Sequence, residues 1–288
     1  MCNVPPTNIV RQGQASQTAL HVARARAVHQ LLDDPIVFDD PLALPILGRE
    51  AETALREDPF IYNDPIQRAM RAGVVVRARF AEDELARAVQ AGVRQFVVLG
   101  AGLDTFAYRN PHAELRVFEV DHPSTQQWKR RLLAEAGIEP PAALTYTPVD
   151  FERQNLADGL AAAGFRADRP ACVSWLGVTM YLTEASILET LRVVAGLPKG
   201  SAITFDFRVV ESVMNPIERV ASKVVEQMIA AMGEPWLSAF EPSDLQAKVK
   251  AQGFSEAEFL DWQELNRRYL HRRKDGLHTN ARLICARV

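Results

Sequence analysis

A glycine-rich turn follows directly on an apolar stretch in the segment VVLGAGLDTFAYR, residues 97–109. Gly100, Ala101 and Gly102 make the turn, and the acid Asp104 comes shortly after it. A turn of this type at the end of a buried strand commonly binds a phosphate. A carboxylate within a few ångströms of a pyrophosphate would repel it, so Asp104 argues against a dinucleotide ligand.

The residue after Asp104 supports the same conclusion. A dinucleotide fingerprint needs a third glycine there for close helix packing, but this chain has Thr105. The turn therefore favours a nucleoside ligand without phosphates, and S-adenosylmethionine (SAM) is such a ligand. Its amino-acid tail can approach the glycine backbone, and its ammonium suits a nearby acid. A glycine turn used only for packing is the alternative.

Two more acids lie at the end of the second strand-like stretch, VFEVDHP. Glu119 and Asp121 are two residues apart, so both lie on one face of a strand. Asp121 follows Gly102 by 19 residues, close to the spacing of about 20 at which an acid accepts hydrogen bonds from both ribose hydroxyls. As alternatives, Asp121 could cap the following helix and Glu119 could pair with an arginine.

The third and fourth strand-like stretches supply the remaining candidates. Asp150 and Phe151 follow the third stretch and could bind adenine, with the acid accepting from the exocyclic amine; a helix cap is the alternative for Asp150. Trp175 and Tyr181 lie at and after the fourth stretch. They are candidates for the wall around the methyl donor and weak candidates for a catalytic role. Packing in the core is the alternative for both aromatic residues.

These candidates need a sheet that brings strand ends together. Strand-like stretches alternate with helical patterns at 123–137, 153–163 and 183–196. This alternation predicts an α/β fold with a mostly parallel, seven-stranded sheet and helices on both faces. The strand-like stretches are 94–100, 115–121, 143–150, 171–178 and 201–207, with a final pair at 255–262 and 281–288.

Two further segments would close the site. The helical pattern of residues 1–75, with Ser16 as a helix cap, predicts an N-terminal helical lid. Residues 76–288 would form the ligand-binding domain. The stretch DDPLA, residues 39–43, would pack beside the glycine turn. A helical insertion at about 211–240 separates the fifth strand from the next helix and could also cover the site.

Composition excludes several classes of function. The chain has 288 residues, a formal net charge of −3 and no long basic run, so neither nucleic acid nor a membrane is an expected partner. No apolar stretch reaches the ~20 residues of a membrane span. Cys2, Cys172 and Cys285 lie too far apart for a metal site, and the last two are expected to be buried thiols. A cytoplasmic protein without a metal is predicted.

Taken in order, VVLGAGLDTFAYR, VFEVDHP, VDF and YLT resemble the leucine carboxyl methyltransferase-like family of class I SAM-dependent methyltransferases. SQTALHVARARAVH and VRARF are similar to the family's lid and to its helix before the first strand, so the resemblance covers about 16–285. It implies a Rossmann-like class I methyltransferase fold with SAM as the cofactor. The implied contacts are Gly100, Ala101 and Gly102 for the SAM loop, Asp121 for the ribose, and Asp150 with Phe151 for the adenine.

The resemblance also implies a role for an arginine before the first strand. Arg77 aligns with the residue that holds the methionine carboxylate, a bidentate role that suits a guanidinium. Arg79 is the neighbouring alternative. Leu176 departs from the family pattern, because many members carry glutamate there and this chain lacks that polar contact.

The implied activity is O-methylation of a small molecule, at a carboxylate or hydroxyl of a polyketide-like metabolite. The sequence shows no strong general-base motif, and a carboxylate acceptor needs none because it is ionised near neutral pH. This favours a carboxyl acceptor. Methylation of a protein's C-terminal carboxylate, or SAM binding without catalysis, are the alternatives. A monomer or a homodimer is expected.

Overall fold

A seven-stranded sheet forms the centre of the computed structural model, which describes residues 16–150 and 154–288. The strands lie side by side in the order β3-β2-β1-β4-β5-β7-β6. In chain order they are β1 (Gln95–Leu99), β2 (Arg116–Asp121), β3 (Leu144–Pro148), β4 (Cys172–Trp175), β5 (Ala202–Asp206), β6 (Glu256–Leu260) and β7 (Leu283–Arg287).

The pairing confirms the predicted α/β fold with a mostly parallel sheet. Strands β1 to β5 pair in parallel, whereas β7 runs antiparallel between β5 and β6. Each strand-like stretch of the sequence contains one strand, shortened at its ends. Strand β1 is buried along its whole length, as expected of a central strand covered on both faces.

Ten α-helices surround the sheet in the described part of the chain. Ser16 caps the first one by accepting a hydrogen bond from the Ala19 N–H at 3.1 Å, as predicted. The helices are α1 (Gln17–Leu32), α2 (Arg49–Glu57), α3 (Pro65–Gln90), α4 (Phe106–Arg109), α5 (Pro123–Glu135), α6 (Leu156–Ala162), α7 (Glu184–Ala195), α8 (Pro216–Ala231), α9 (Pro242–Ala251) and α10 (Trp262–Tyr269). None of these helices is long and apolar enough to cross a membrane.

The N-terminal helices share their apolar core with the sheet domain. Ala23 and Ala27 of α1 pack in one buried cluster with Leu103 of the glycine turn and Leu133 of α5. The predicted boundary at residue 75 falls inside α3, which runs without a break from the N-terminal segment to the sheet. No glycine or proline stop follows the boundary within this helix, so its apolar pattern continues and no linker forms there.

Polar contacts tie the N-terminal segment to the glycine turn. The Thr105 hydroxyl donates to Oδ2 of Asp40 at 2.7 Å, and Arg109 Nε lies 3.4 Å from Asp40 Oδ1. Arg26 of α1 donates to the carbonyl oxygen of Leu103. The DDPLA stretch therefore packs beside the turn, as the sequence predicted.

The insertion predicted at about 211–240 consists of a short 3-10 turn, helix α8 and a return segment. The chain comes back to the sheet domain where Phe240 pairs with Val209 in an isolated bridge. Both described cysteines are buried free thiols, as expected. Burial raises the pKa of Cys172, and it raises the pKa of Cys285 to about 12, so neither thiol is a reactive thiolate.

Candidate active site

A large cavity opens at the carboxyl ends of β1, β2, β4 and β5, where ligands bind in parallel sheets. Its volume is about 1900 Å³. Ligand pockets usually measure ~300–1,000 Å³, so this cavity has room for two ligands. Because strands lie ~4.8 Å apart and two strands separate β2 from β5, the two sides of the cavity are roughly 14 Å apart.

The glycine turn forms one part of the cavity wall. Gly100 and Gly102 have positive φ angles of 66° and 44°, which favour glycine. A Cβ atom on Gly100 would lie 2.4 Å from Cγ2 of Val178, so packing against the loop after β4 also requires glycine. Gly100 therefore has a packing role, as the alternative to ligand binding proposed. Gly100, Ala101 and Gly102 nevertheless all line the cavity.

Asp121 ends β2 at the cavity, and its carboxylate is held by the backbone. Oδ2 accepts the Gly102 N–H at 2.5 Å, and Oδ1 accepts the His122 N–H at 2.7 Å. Burial raises the pKa of Asp121, while these two N–H groups act in the opposite direction. Asp121 does not cap the following helix, because the cap of α5 is His122. Each carboxylate oxygen has a second acceptor site, which leaves two sites for a ligand.

Asp104 also lines the cavity, but its carboxylate has structural contacts too. Oδ1 accepts the Phe106 N–H at 2.8 Å at the start of α4. Oδ2 lies 3.7 Å from Nη1 of Arg26, a residue of α1. Asp104 therefore places a carboxyl group at the glycine turn and also connects the turn to α1.

Asp150 lies in the cavity wall after β3. The cap alternative for this residue is wrong, because Asn155 caps α6 by accepting the Ala157 N–H at 2.7 Å. Gln154, the next described residue, accepts the Asp150 N–H at 3.0 Å through its side chain. Phe151, the predicted partner of Asp150, lies outside the described residues.

Glu119 is placed differently from the other acids. Its side chain is fully buried, and Oε2 accepts a hydrogen bond from Lys129 Nζ at 2.7 Å. Burial raises the pKa of Glu119 to about 7, although the charge of Lys129 acts in the opposite direction. Glu119 is not among the described residues that line the cavity. The predicted cofactor contact is therefore corrected: Glu119 forms a buried ion pair, with lysine where the sequence suggested arginine.

Arg77 lies in the cavity wall and contacts an acid that the sequence analysis did not select. Its Nη1 donates to Oδ2 of Asp206 at 2.6 Å, at the end of β5. Oδ1 of Asp206 accepts the Gly177 N–H at 2.6 Å. A Cβ on Gly177 would lie 2.5 Å from Nη2 of Arg77, so glycine lets the guanidinium lie against the loop after β4. The alternative, Arg79, pairs with Asp83 at 2.8 Å outside this wall.

The two aromatic candidates separate. Trp175 is 1% exposed and packs in the core, with its ring 6.1 Å from that of Phe205, so it is not a catalytic candidate. Successive side chains along a strand point to opposite faces, so Ser174 and Leu176 line the cavity while Trp175 points into the core. Tyr181 does line the cavity. Burial raises the pKa of Tyr181, so its hydroxyl is protonated at neutral pH.

The start of α1 is bound to the insertion through one carboxylate. Glu234, 5% exposed, accepts the Gln17 N–H at 2.9 Å and the Ser16 hydroxyl at 3.2 Å. The Thr18 hydroxyl donates to the same carboxylate. A negative charge at the first turn of a helix also interacts favourably with the helix dipole. This Glu234 contact joins the two segments that flank the cavity.

Three more residues in the wall bring polar groups that the sequence analysis missed or set aside. Arg208 lies over the Trp236 ring at 4.7 Å and donates to Glu226 at 2.6 Å. Burial, and then the charge of Arg24, lower the pKa of His21, so its imidazole is neutral at neutral pH. Asp206 had a sequence signal, its place at the end of the fifth strand. Arg208, Trp236 and His21 had none, because tertiary packing alone brings them to the cavity.

The fold and the site together define a class I SAM-dependent methyltransferase. The sheet order, with one antiparallel strand beside the last parallel one, carries a glycine turn and acids at the ends of β1, β2 and β3. The donor set suits this cofactor, since carboxylates suit ribose hydroxyls and an ammonium but not a phosphate.

The chain belongs to the leucine carboxyl methyltransferase family, whose sequence profile matches residues 19–195. A Bacillus subtilis protein named "Putative S-adenosyl-L-methionine-dependent methyltransferase YktD" is 32% identical over 93% of this chain and 95% of its own length. A protein of the same description from Mycolicibacterium paratuberculosis is 37% identical over 85% of this chain and 75% of its own length.

Solved structures support the fold. The crystal structure of a protein described as a "putative methyltransferase" from Thermobifida fusca aligns with a TM-score of 0.54 at 17% identity, over 99% of both chains. A protein of the DUF574 family from Streptomyces avermitilis aligns with a TM-score of 0.51 at 18% identity, over 91% of this chain and 96% of that one.

Proposed function

We propose that the protein transfers the methyl group of SAM to an oxygen of a small molecule, with a carboxylate as the first candidate and a hydroxyl as the second. That it is a SAM-dependent methyltransferase follows from its family. The observation that carries the finer proposal is the cavity of about 1900 Å³, which is large enough for a cofactor and an acceptor together. The contact of Glu234 with α1 supports a small acceptor, because it joins segments on both sides of this cavity.

The adenosine part of the cofactor would lie on the β1–β3 side of the cavity, and its methionine part would extend toward Arg77 near the end of β5. Asp121 would accept from the ribose hydroxyls, Asp150 from the adenine amine, and Asp104 from the ammonium. Arg77 would donate to the methionine carboxylate while Asp206 holds its guanidinium in place. When bound, SAM supplies an electrophilic methyl group on a sulfonium. The acceptor would then occupy the side near β5 and α8.

The chain's own part in this reaction is alignment and exclusion of water. In-line displacement needs the attacking oxygen about 3 Å from the methyl carbon, with little proton chemistry. Tyr181 is protonated at neutral pH and can donate a hydrogen bond to an acceptor oxygen, but it is a poor base. A carboxylate acceptor needs no base. The absence of a strong base among these contacts of the described residues therefore supports a carboxylate as the methyl acceptor.

The position of His21 in the cavity wall supports a hydroxyl acceptor as the second candidate. Its neutral imidazole lies in the cavity wall, and a general base typically contributes ~10²–10⁴-fold to such a step. His21→Ala should leave a carboxylate acceptor's turnover within about threefold. It should slow methylation of a hydroxyl acceptor by ~10²-fold or more and flatten its pH profile.

The experiment is a screen with [methyl-³H]SAM against small carboxylic acids, phenols and peptides with a free C-terminal carboxylate. S-adenosylhomocysteine (SAH) formation is measured in parallel. Methylated small acids or phenols support the proposal. Methylation of the peptides alone would replace it with the protein C-terminal carboxyl activity. Tight SAM binding with no turnover on any acceptor would favour a binding protein.

A further inference from the structure

Helix α8 carries an apolar stripe that the rest of the chain leaves largely uncovered. Ile217, Val220 and Val224 are 83%, 66% and 45% exposed. Their spacing of three and four residues places them on one side of the helix. Leu237, in the return segment after α8, is 39% exposed. We call these four residues the apolar rim, because all four also line the cavity.

Polar contacts on another side of α8 hold the apolar rim in place. Glu218 forms a buried ion pair with Arg282, and Glu226 accepts from Arg208 at 2.6 Å. Glu218 also completes a capping box with Asn215 at the start of the helix. Positions 218 and 226 lie about 80° apart around the helix, and the stripe lies outside that sector. These contacts orient α8 so that its apolar stripe stays exposed.

The rim continues into the cavity, and this distinguishes it from other exposed apolar residues. Phe60 and Ile61 are each 66% exposed, but neither lines the cavity. A second copy of the chain or a lipid surface would cover only the outer face of α8 and would not contact the residues inside the cavity. A small molecule that enters the cavity would contact both the rim and the inner wall.

We propose that the apolar rim binds the apolar body of the methyl acceptor and so selects amphipathic acceptors, whose polar oxygen points inward while their hydrocarbon part extends along α8. This inference rests on the proposed small-molecule transfer and names the class of its acceptor. Short polar acids would lack the rim contact and bind weakly. Met180 and Met214, both in the cavity lining, would continue the apolar surface with adaptable side chains.

The test uses two probes on the full chain saturated with SAH. 8-Anilinonaphthalene-1-sulfonate reports binding by fluorescence, and dodecanoate or butanoate competes with it. For the wild-type protein we expect displacement by dodecanoate at concentrations at least about tenfold below those of butanoate. The triple variant Ile217→Gln, Val220→Gln, Val224→Gln should bind both apolar probes at least about tenfold more weakly, a difference of about 1.4 kcal/mol.

A matched double variant, Phe60→Gln with Ile61→Gln, removes a similar exposed apolar area outside the cavity and should bind both probes like the wild type. The SAH affinity and melting temperature of all variants should be unchanged, which separates a local effect from unfolding. Equal probe binding by the triple variant and the wild type would overturn the inference. So would a wild-type dimer that the triple variant dissociates without any change in probe binding.

These binding readouts do not depend on turnover. If the screen finds no methyl transfer but dodecanoate binding still requires the rim, the proposed function fails and the rim remains a binding surface. If the wild type methylates short polar acids as efficiently as amphipathic ones, and the triple variant leaves this ratio unchanged, the proposed function stands and the rim inference fails.

Discussion

Replacing Asp121 with alanine should abolish the protein's preference for a nucleoside that carries ribose hydroxyls. The structure supports this because both oxygens of Asp121 are oriented by backbone N–H groups, at 2.5 Å from Gly102 and 2.7 Å from His122. The same oxygens keep one acceptor site each at the cavity. These two sites match the two hydroxyls of a ribose.

The size of the effect follows from these two sites. A hydrogen bond to a charged acceptor contributes ~1.5–3 kcal/mol, so two of them amount to roughly 3–6 kcal/mol. With tenfold for every 1.4 kcal/mol, the wild-type protein should bind adenosine ~10²–10⁴-fold more tightly than 2′,3′-dideoxyadenosine. In Asp121→Ala this ratio should fall to near one. Its affinity for SAH should fall at least tenfold.

Isothermal titration of both nucleosides with both proteins forms a double-mutant cycle, which separates the hydroxyl contact from general damage to the turn. Loss of the anchor for the Gly102 N–H would weaken both nucleosides equally and would not change their ratio. Asp168→Ala, which removes an exposed carboxylate paired with Arg166, is the control. A folded Asp121→Ala variant that keeps the full preference for adenosine would refute the ribose role.

Three other perturbations test separate parts of the site. Arg77→Lys keeps an ion pair with Asp206 but loses the guanidinium fork, so SAH should weaken ~10-fold or more while adenosine does not; equal weakening by titration would mean that Arg77 acts only through Asp206. Glu234→Ala removes three hydrogen bonds to the start of α1, so SAH should dissociate faster in stopped-flow experiments, and an unchanged rate would show that this contact does not gate the cavity. The pKa of Glu119 is about 7 in the folded state and 4.5 ordinarily, so protonation of Glu119 favours the folded state. The protonated side chain contributes roughly 3 kcal/mol to the free energy of unfolding. This contribution is complete below pH 4.5 and is lost as the pH rises to about 7. Urea titrations of the double variant Glu119→Gln, Lys129→Met should lack that slope, and an equal slope would assign the pH dependence to other groups.

The sequence predicted the strands and the location of the site because both depend on local patterns. A short run such as 95–99, rich in valine and phenylalanine and followed by glycine, is typical of a buried strand, and the carboxyl ends of parallel strands converge at one edge. This rule was sufficient to bring the glycine turn, Asp121 and Asp150 together. Asp206 follows the same rule at the end of β5, but it lies in no sequence motif that would mark it as a site residue.

The contacts that the sequence did not predict depend on tertiary packing. Glu119 and Asp121 share a strand face, yet only Asp121 reaches the cavity, because Lys129 of α5 pairs with the acid deeper in the sheet. Glu234 meets the start of α1 across more than two hundred residues of chain. The order of the strands, with β7 inserted between β5 and β6, is also a property of the assembled sheet.

The unbroken course of α3 has a mechanical consequence. This helix has 26 residues and is therefore about 39 Å long; its first half lines the cavity and its second half is buried against the sheet domain. A rigid rod anchored in this way cannot act as the hinge of a swinging cover, and Arg77 fixes it further to the end of β5. Any widening of the cavity between the N-terminal segment and the insertion would therefore separate α1 from the α8 insertion, which meet at Glu234. Glu234 is thus a carboxylate at which both of these segments would have to part, while α3 holds the back wall of the cavity in place.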